Sequence, residues 1–139
     1  MPVSLTRTVG FRAVHRLYRP DWSAARNREV FGPLSDPPGH SHDYRCAVTV
    51  SGAADSMGMV IDLGRLDHIL QEEVVGRLGG MNLNDDLPEF GAGGMLPTCE
   101  AIAMDLYRRL APRLPGGVTL ERVRVMEDDT LSADCTGLG

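Results

Sequence analysis

Apolar and polar residues alternate along some stretches of the chain and recur at helical spacing along others. Over residues 4–15, Val9, Phe11, Ala13 and His15 share one parity, which predicts a strand ending in a histidine. Residues 16–39, rich in Arg, Pro, Ser and Asp, read as a long loop of the kind that is usually functional or disordered. Tyr44, Cys46, Val48 and Val50 alternate in a second strand over 44–54, and residues 55–58 form a turn. Asp62 is a good N-cap for a helix over 63–78, with Leu63, Leu66, Leu70, Val74 and Leu78 on one stripe, widened by Ile69. Gly79 and Gly80 stop it. After a second loop over 81–97, Thr98 caps a helix over 99–114 that turns Ile102, Leu106 and Leu110 inward, with Pro112 weakening its last turn. A third strand spans 118–127, its phase slipping between Leu120 and Val123 as at a bulge, and residues 130–136 pair back as a short fourth strand. The order β-β-α-α-β-β predicts an α+β fold, a four-stranded antiparallel sheet with two helices on one face.

Composition narrows the function. The 139 residues suit one domain, 1–139, with one core. A formal net charge of -5 argues against non-specific nucleic-acid binding. No apolar run approaches the ~20 residues that cross a bilayer. No signal-type apolar core opens the chain. Three cysteines at scattered spacings, Cys46, Cys99 and Cys135, suit a reducing compartment, so a cytoplasmic location is expected. All 14 basic residues are arginine. Without a lysine amine, Schiff-base aldolase and pyridoxal chemistry are excluded.

The candidate chemistry lies in histidines. His40 and His42 sit two apart at a strand entrance and project from one face, and a hairpin brings His15 to them. Three imidazoles with one open position is the arrangement of catalytic zinc, so Zn²⁺ is the expected cofactor, although imidazole also suits other divalent metals. A cupin would place a glutamate about four residues after such a pair, where Cys46 stands, and an amidohydrolase needs a barrel of roughly 250 residues. His68 lies opposite the Leu66/Leu70 stripe and is expected to be an ordinary exposed side chain. Cys46 reads as core, while Cys99 opens a helix, where a thiolate is stabilised. Glu127 shares parity with Val123 and Val125 and is expected to point inward.

Several segments, in order over nearly the whole chain, resemble the motifs of one protein family. Residues 11–17, FRAVHRL, resemble its F-x-A-x-H-R-L opening, and residues 37–44, PPGHSHDY, its P-N-G-H-x-H-N-Y segment. Residues 58–63, GMVIDL, are similar to G-M-V-x-D-F/L, and Asn82-Leu83-Asn84 to the tail of L-D-H-x-x-L-N. Residues 97–100, PTCE, are similar to P-T-S/T-E, and Val125-Met126-Glu127 to the V-x-E strand end. Together these segments resemble the 6-pyruvoyl-tetrahydropterin synthase family, which includes the 6-carboxytetrahydropterin synthases. The resemblance implies a tunnelling-type fold assembling as homotrimers and then homohexamers, with pockets between subunits. It implies that His15, His40 and His42 hold zinc, that Glu127 accepts hydrogen bonds from a pterin ring, and that Thr98 and Glu100 lie at the pocket rim.

The departures bear on chemistry. The family's cysteine, in a segment like F-G-K-C, aligns with Leu34, and its Asp-His pair aligns with Gly79 and Gly80. None of the three can exchange a proton. The expectation is therefore a zinc-dependent lyase or cyclase, acting by altered chemistry on a pterin-like or other small polar substrate. Its base would come from elsewhere, with Asp36, Asp43 and Glu100 as candidates and Asp128 and Asp129 nearby. The alternatives are an inactive zinc- and ligand-binding homologue serving as an interaction subunit, and an ordinary 6-carboxytetrahydropterin synthase whose base has moved to Cys99 or a nearby Asp.

Overall fold

A computed structural model describes residues 1–91 and 93–137. Strands β1 (Pro2–His15), β2 (His40–Ala53), β3 (Thr119–Met126) and β4 (Ser132–Cys135) form one antiparallel sheet in the order β1-β2-β3-β4. Side chains of one parity, among them Phe11, Ala13, Tyr44, Cys46, Val48, Val50, Val123 and Val125, are buried beneath the helices. The register slips where expected: Thr49 faces Arg122 and Val50 faces Leu120, so Glu121 is the extra residue of a bulge.

The segment between β1 and β2 is not a simple loop. It holds helix α1 (Ala24–Phe31), capped by Ser23, and a 3-10 turn Gly32–Ser35. Its anchor is polar: the Asn27 side chain accepts from the Arg19 N–H at 2.7 Å and donates to the Arg19 carbonyl at 3.0 Å. The Trp22 ring stacks on Phe31 with the Arg26 guanidinium 4.0 Å from its centre. Strand β2 begins at His40, four residues earlier than the alternation alone marks.

Helix α2 (Leu63–Leu70) starts at Asp62, whose carboxylate accepts from the Arg65 N–H. It continues through a π-helical segment Gln71–Val75 into a last turn Gly76–Leu78. Leu66, Ile69, Leu70, Val74 and Leu78 are buried as their spacing requires, but Leu63, in the first turn, is exposed. A short helix α3 (Leu83–Asp86) and a 3-10 turn Pro88–Phe90 interrupt the second loop. Helix α4 (Cys99–Leu110) is capped by Thr98 and gives way at Pro112 to a 3-10 turn. It packs on β3 and β4, with the Tyr107 hydroxyl donating to the Leu120 carbonyl at 2.9 Å. Among the described residues, no helix is long and apolar enough to cross a membrane.

Candidate metal centre

The β1–β2 register places His15 opposite His40 and Ala13 opposite His42, so the three histidines meet at one end of the sheet, on its buried face. Gly39 makes this entry possible. Its φ is +111°, and a Cβ there would lie 2.6 Å from the His15 carbonyl oxygen, so another residue would push the two strand ends apart. The end of β1 is fixed from its other side as well. The Val14 N–H donates to the Met81 carbonyl at 2.9 Å. The Asn84 side chain accepts from the Arg16 N–H at 2.9 Å and donates to the Arg16 carbonyl at 3.0 Å.

One ligand nitrogen from each of His15, His40 and His42 lies within 4.8 Å of the others. His15 is 3% exposed, and its Nδ1 lies 2.7 Å from the Pro97 carbonyl. Because a carbonyl only accepts, Nδ1 carries the proton and Nε2 presents a lone pair. Burial holds His15 down to about 4, against the pull of the Pro97 carbonyl and with help from the neighbouring imidazoles. His40 is lowered too, by burial and then by His42. The Nε2 atoms of His15 and His42 are buried without a hydrogen-bond partner.

Glu127 closes the cup. Opposite Tyr44 in the continued β2–β3 register, it points inward, with Oε1 3.9 Å from His15 Nε2 and Oε2 3.7 Å from His42 Nε2. The Cys99 thiol donates to Oε1 at 3.8 Å. Cys99 does not have the thiolate character expected of a helix start: burial, and then the Glu127 charge, push it up to about 12. Tyr44 is 1% exposed, has no hydrogen-bond partner for its hydroxyl, and is held well above the usual phenol range by burial and Glu127. Two contributions had no obvious sequence signal, the Pro97 carbonyl and the Asn84 clamp. Tyr44 did have one, since it shares the parity of His42.

The other candidates separate. Asp43 lies on the opposite sheet face from His42, 81% exposed and paired with Arg12 at 2.9 Å. Asp36 pairs with Arg28 at 2.7 Å beside a cleft of about 420 Å³. Asp129 pairs with Arg45, and Asp128 caps the turn to β4 through Thr130 and Leu131. Thr98 and Glu100 line a different cleft, of about 430 Å³, with Tyr18, Phe90 and Met104; its lining includes neither the histidines nor Glu127. Leu34 is half exposed on its 3-10 turn, its carbonyl accepting from the Leu17 N–H. Gly80 donates its N–H to the Arg12 carbonyl at 2.7 Å. His68 is exposed and meets Glu72 at 3.0 Å.

The centre thus gathers three imidazoles, with a lone pair on His15 Nε2, and a carboxylate at the end of an antiparallel sheet. Its nitrogen-rich donors suit a divalent transition metal. A model of the 6-pyruvoyl tetrahydropterin synthase family matches residues 4–137, and the chain belongs to that family. The 6-pyruvoyl tetrahydrobiopterin synthase of Homo sapiens is 36% identical over 126 residues, covering 90% of this chain and 85% of that protein. The Dictyostelium discoideum protein of the same name is 31% identical, covering 91% and 90%. The structure of Caenorhabditis elegans 6-pyruvoyl tetrahydropterin synthase superposes with a TM-score of 0.89 at 27% identity, covering 99% of this chain and 97% of that one.

Proposed function

We propose that this chain is a zinc-dependent lyase or cyclase that acts on a pterin-like substrate by chemistry altered from that of the synthases it resembles. The observation that carries the metal is the convergence of one nitrogen from each of three imidazoles, two of them buried and unpartnered, beside the Glu127 carboxylate. His15, His40 and His42 would hold Zn²⁺, which supplies Lewis acidity toward a substrate hydroxyl or carbonyl.

The chain's own residues then do the rest. Glu127 accepts hydrogen bonds from the adjacent N–H groups of a planar heterocycle, and Cys99 orients it with its S–H. The Pro97 carbonyl keeps His15 in the tautomer that offers Nε2. Thr98 and Glu100 belong to a rim cleft that meets the outer part of a substrate. In a homotrimer or homohexamer, a neighbouring subunit would complete that rim.

The altered chemistry rests on Leu34, Gly79 and Gly80, none of which can move a proton. Of the carboxylates considered as replacements, Asp36 is tied to Arg28, Asp129 to Arg45 and Asp128 to the turn before β4, and Asp43 faces away from the cup. Glu100 has no ion-pair or hydrogen-bond partner among the described residues, and it is the candidate base that remains. The same losses favour a second reading, a homologue that binds metal and heterocycle without turnover.

One assay tests these readings. Zinc-loaded protein incubated with dihydroneopterin triphosphate is expected to give little or no pyruvoyl- or carboxy-tetrahydropterin. General acid–base assistance contributes about 10²–10⁴-fold. Turnover at roughly 1 s⁻¹ or faster would refute altered chemistry. A different product, lost in Glu100→Gln, would support the enzyme over the inactive homologue.

A further inference from the structure

The position of Glu127 relative to the imidazoles suggests a role that substrate anchoring does not cover. A substrate anchor needs only to face the pocket. Here the two carboxylate oxygens divide between two imidazoles, Oε1 3.9 Å from His15 Nε2 and Oε2 3.7 Å from His42 Nε2. Metal–ligand bonds of about 2.0–2.2 Å in a tetrahedral site put neighbouring donor atoms roughly 3.3–3.6 Å apart. The carboxylate stands only slightly outside that spacing.

The alternative explanation is a hydrogen bond from a protonated imidazole to the carboxylate. The contacts are too long for one. His15 already gives its Nδ1 proton to Pro97, so its Nε2 presents a lone pair and has no proton to donate. A carboxylate oxygen set against the His15 lone pair, with no proton between them, fits a positive ion held by both. Among the described residues, the only side-chain donor to the carboxylate on its other side is the weak Cys99 S–H, which steadies Oε1 without neutralising it.

We propose that Glu127 is the fourth donor of the metal centre in the substrate-free protein, so that the resting site is closed. A heterocycle bearing adjacent N–H groups would draw the carboxylate off and leave the three imidazoles with an open position. Substrate recognition and metal activation then become one event. Water and stray anions are kept from the metal until the correct ring arrives. This inference rests on the metal reading above and adds to it a coupling between Glu127 and the metal.

Cobalt serves as the probe, because Co²⁺ takes the same ligands as zinc and reports its coordination in visible absorption. Co²⁺-loaded wild-type protein is expected to show a spectrum that azide leaves unchanged. Added pterin should shift it, and azide should then become effective. Glu127→Gln should respond to azide without pterin and bind Co²⁺ about 10–100-fold more weakly. Glu127→Asp, which keeps the charge on a shorter arm, should fall between. Circular dichroism of each variant checks folding, and the wild-type azide titration needs no variant at all. If wild-type protein binds Co²⁺ tightly but azide changes its spectrum without pterin, Glu127 is not a ligand; the closed-site inference falls and the metal reading stands. If wild-type protein takes up no Co²⁺, both fall together.

Discussion

At the scale of single residues, the centre depends on lone pairs pointing the right way. His15 is the buried member, and its neutral form has a consequence for the metal-free protein. Its folded-state value of about 4 lies below the ordinary 6.5. Between those values the unfolded chain binds the extra proton and the folded chain does not, so stability falls as pH drops from about 6.5 toward 4 and levels off below. Thermal melts of metal-free protein across this window should show that slope, and His15→Asn should flatten it. An unchanged slope would mean that His15 is not held neutral by its surroundings.

The glycines at 79 and 80 test a different point, whether the family's Asp-His pair can be put back. A Cβ at Gly79 would lie 2.5 Å from the Val75 carbonyl oxygen, and Gly80 has a φ of +76°. Gly79→Asp should therefore cost about 1–3 kcal/mol of stability from overpacking, and Gly80→His about 1–2 kcal/mol from the left-handed backbone. Denaturant melts of both variants check this. Wild-type stability in the double variant would show that the local backbone is not committed to glycine.

At the scale of elements, much was legible because one physical rule governed each stretch. Parity put His15, His42, Tyr44 and Glu127 on the buried face. Capping chemistry placed Asp62 and Thr98, and the phase slip located the bulge at Glu121. The same parity puts Asp43 outside, a deduction that its closeness to the histidine pair obscured.

Elements held by polar or backbone interactions left no such pattern. Helix α1 has Asn27 as its only buried residue, and the π segment shows itself only in how Gly76 follows Gln71. An ion-pair network between the α2 stretch and α4 was also invisible, since Arg77, Asp105, Arg109 and Glu89 look like surface charges in sequence. Asp105 is buried and paired with both Arg77 and Arg109. Asp105→Ala, which leaves Arg77 without its carboxylate, should cost about 3–5 kcal/mol. A loss under 1 kcal/mol in urea melts would show that the network is ornamental.

At the scale of the whole molecule, the sheet ends in two unlike edges. The last turn of β1 is covered by residues 80–82, through the Gly80 and Met81 backbone. Its first ten residues and the short β4 have no further strand beside them among the described residues. Exposed edges seek pairing or protection, and closure of several sheets into a barrel supplies both. A trimer or hexamer is therefore expected by light scattering, and a monomer at micromolar concentration would contradict it. The sequence could not reveal this assembly by parity, because a strand edge is backbone.

The central claim is that His15, His40 and His42 hold a divalent metal, and elemental analysis of the purified protein tests it most directly. About one Zn²⁺ per chain is expected in the wild type, with loss of most of it in His40→Ala and in His42→Ala, because the centre has no spare imidazole to replace either. Wild-type protein that carries no transition metal, even after incubation with zinc, would contradict it.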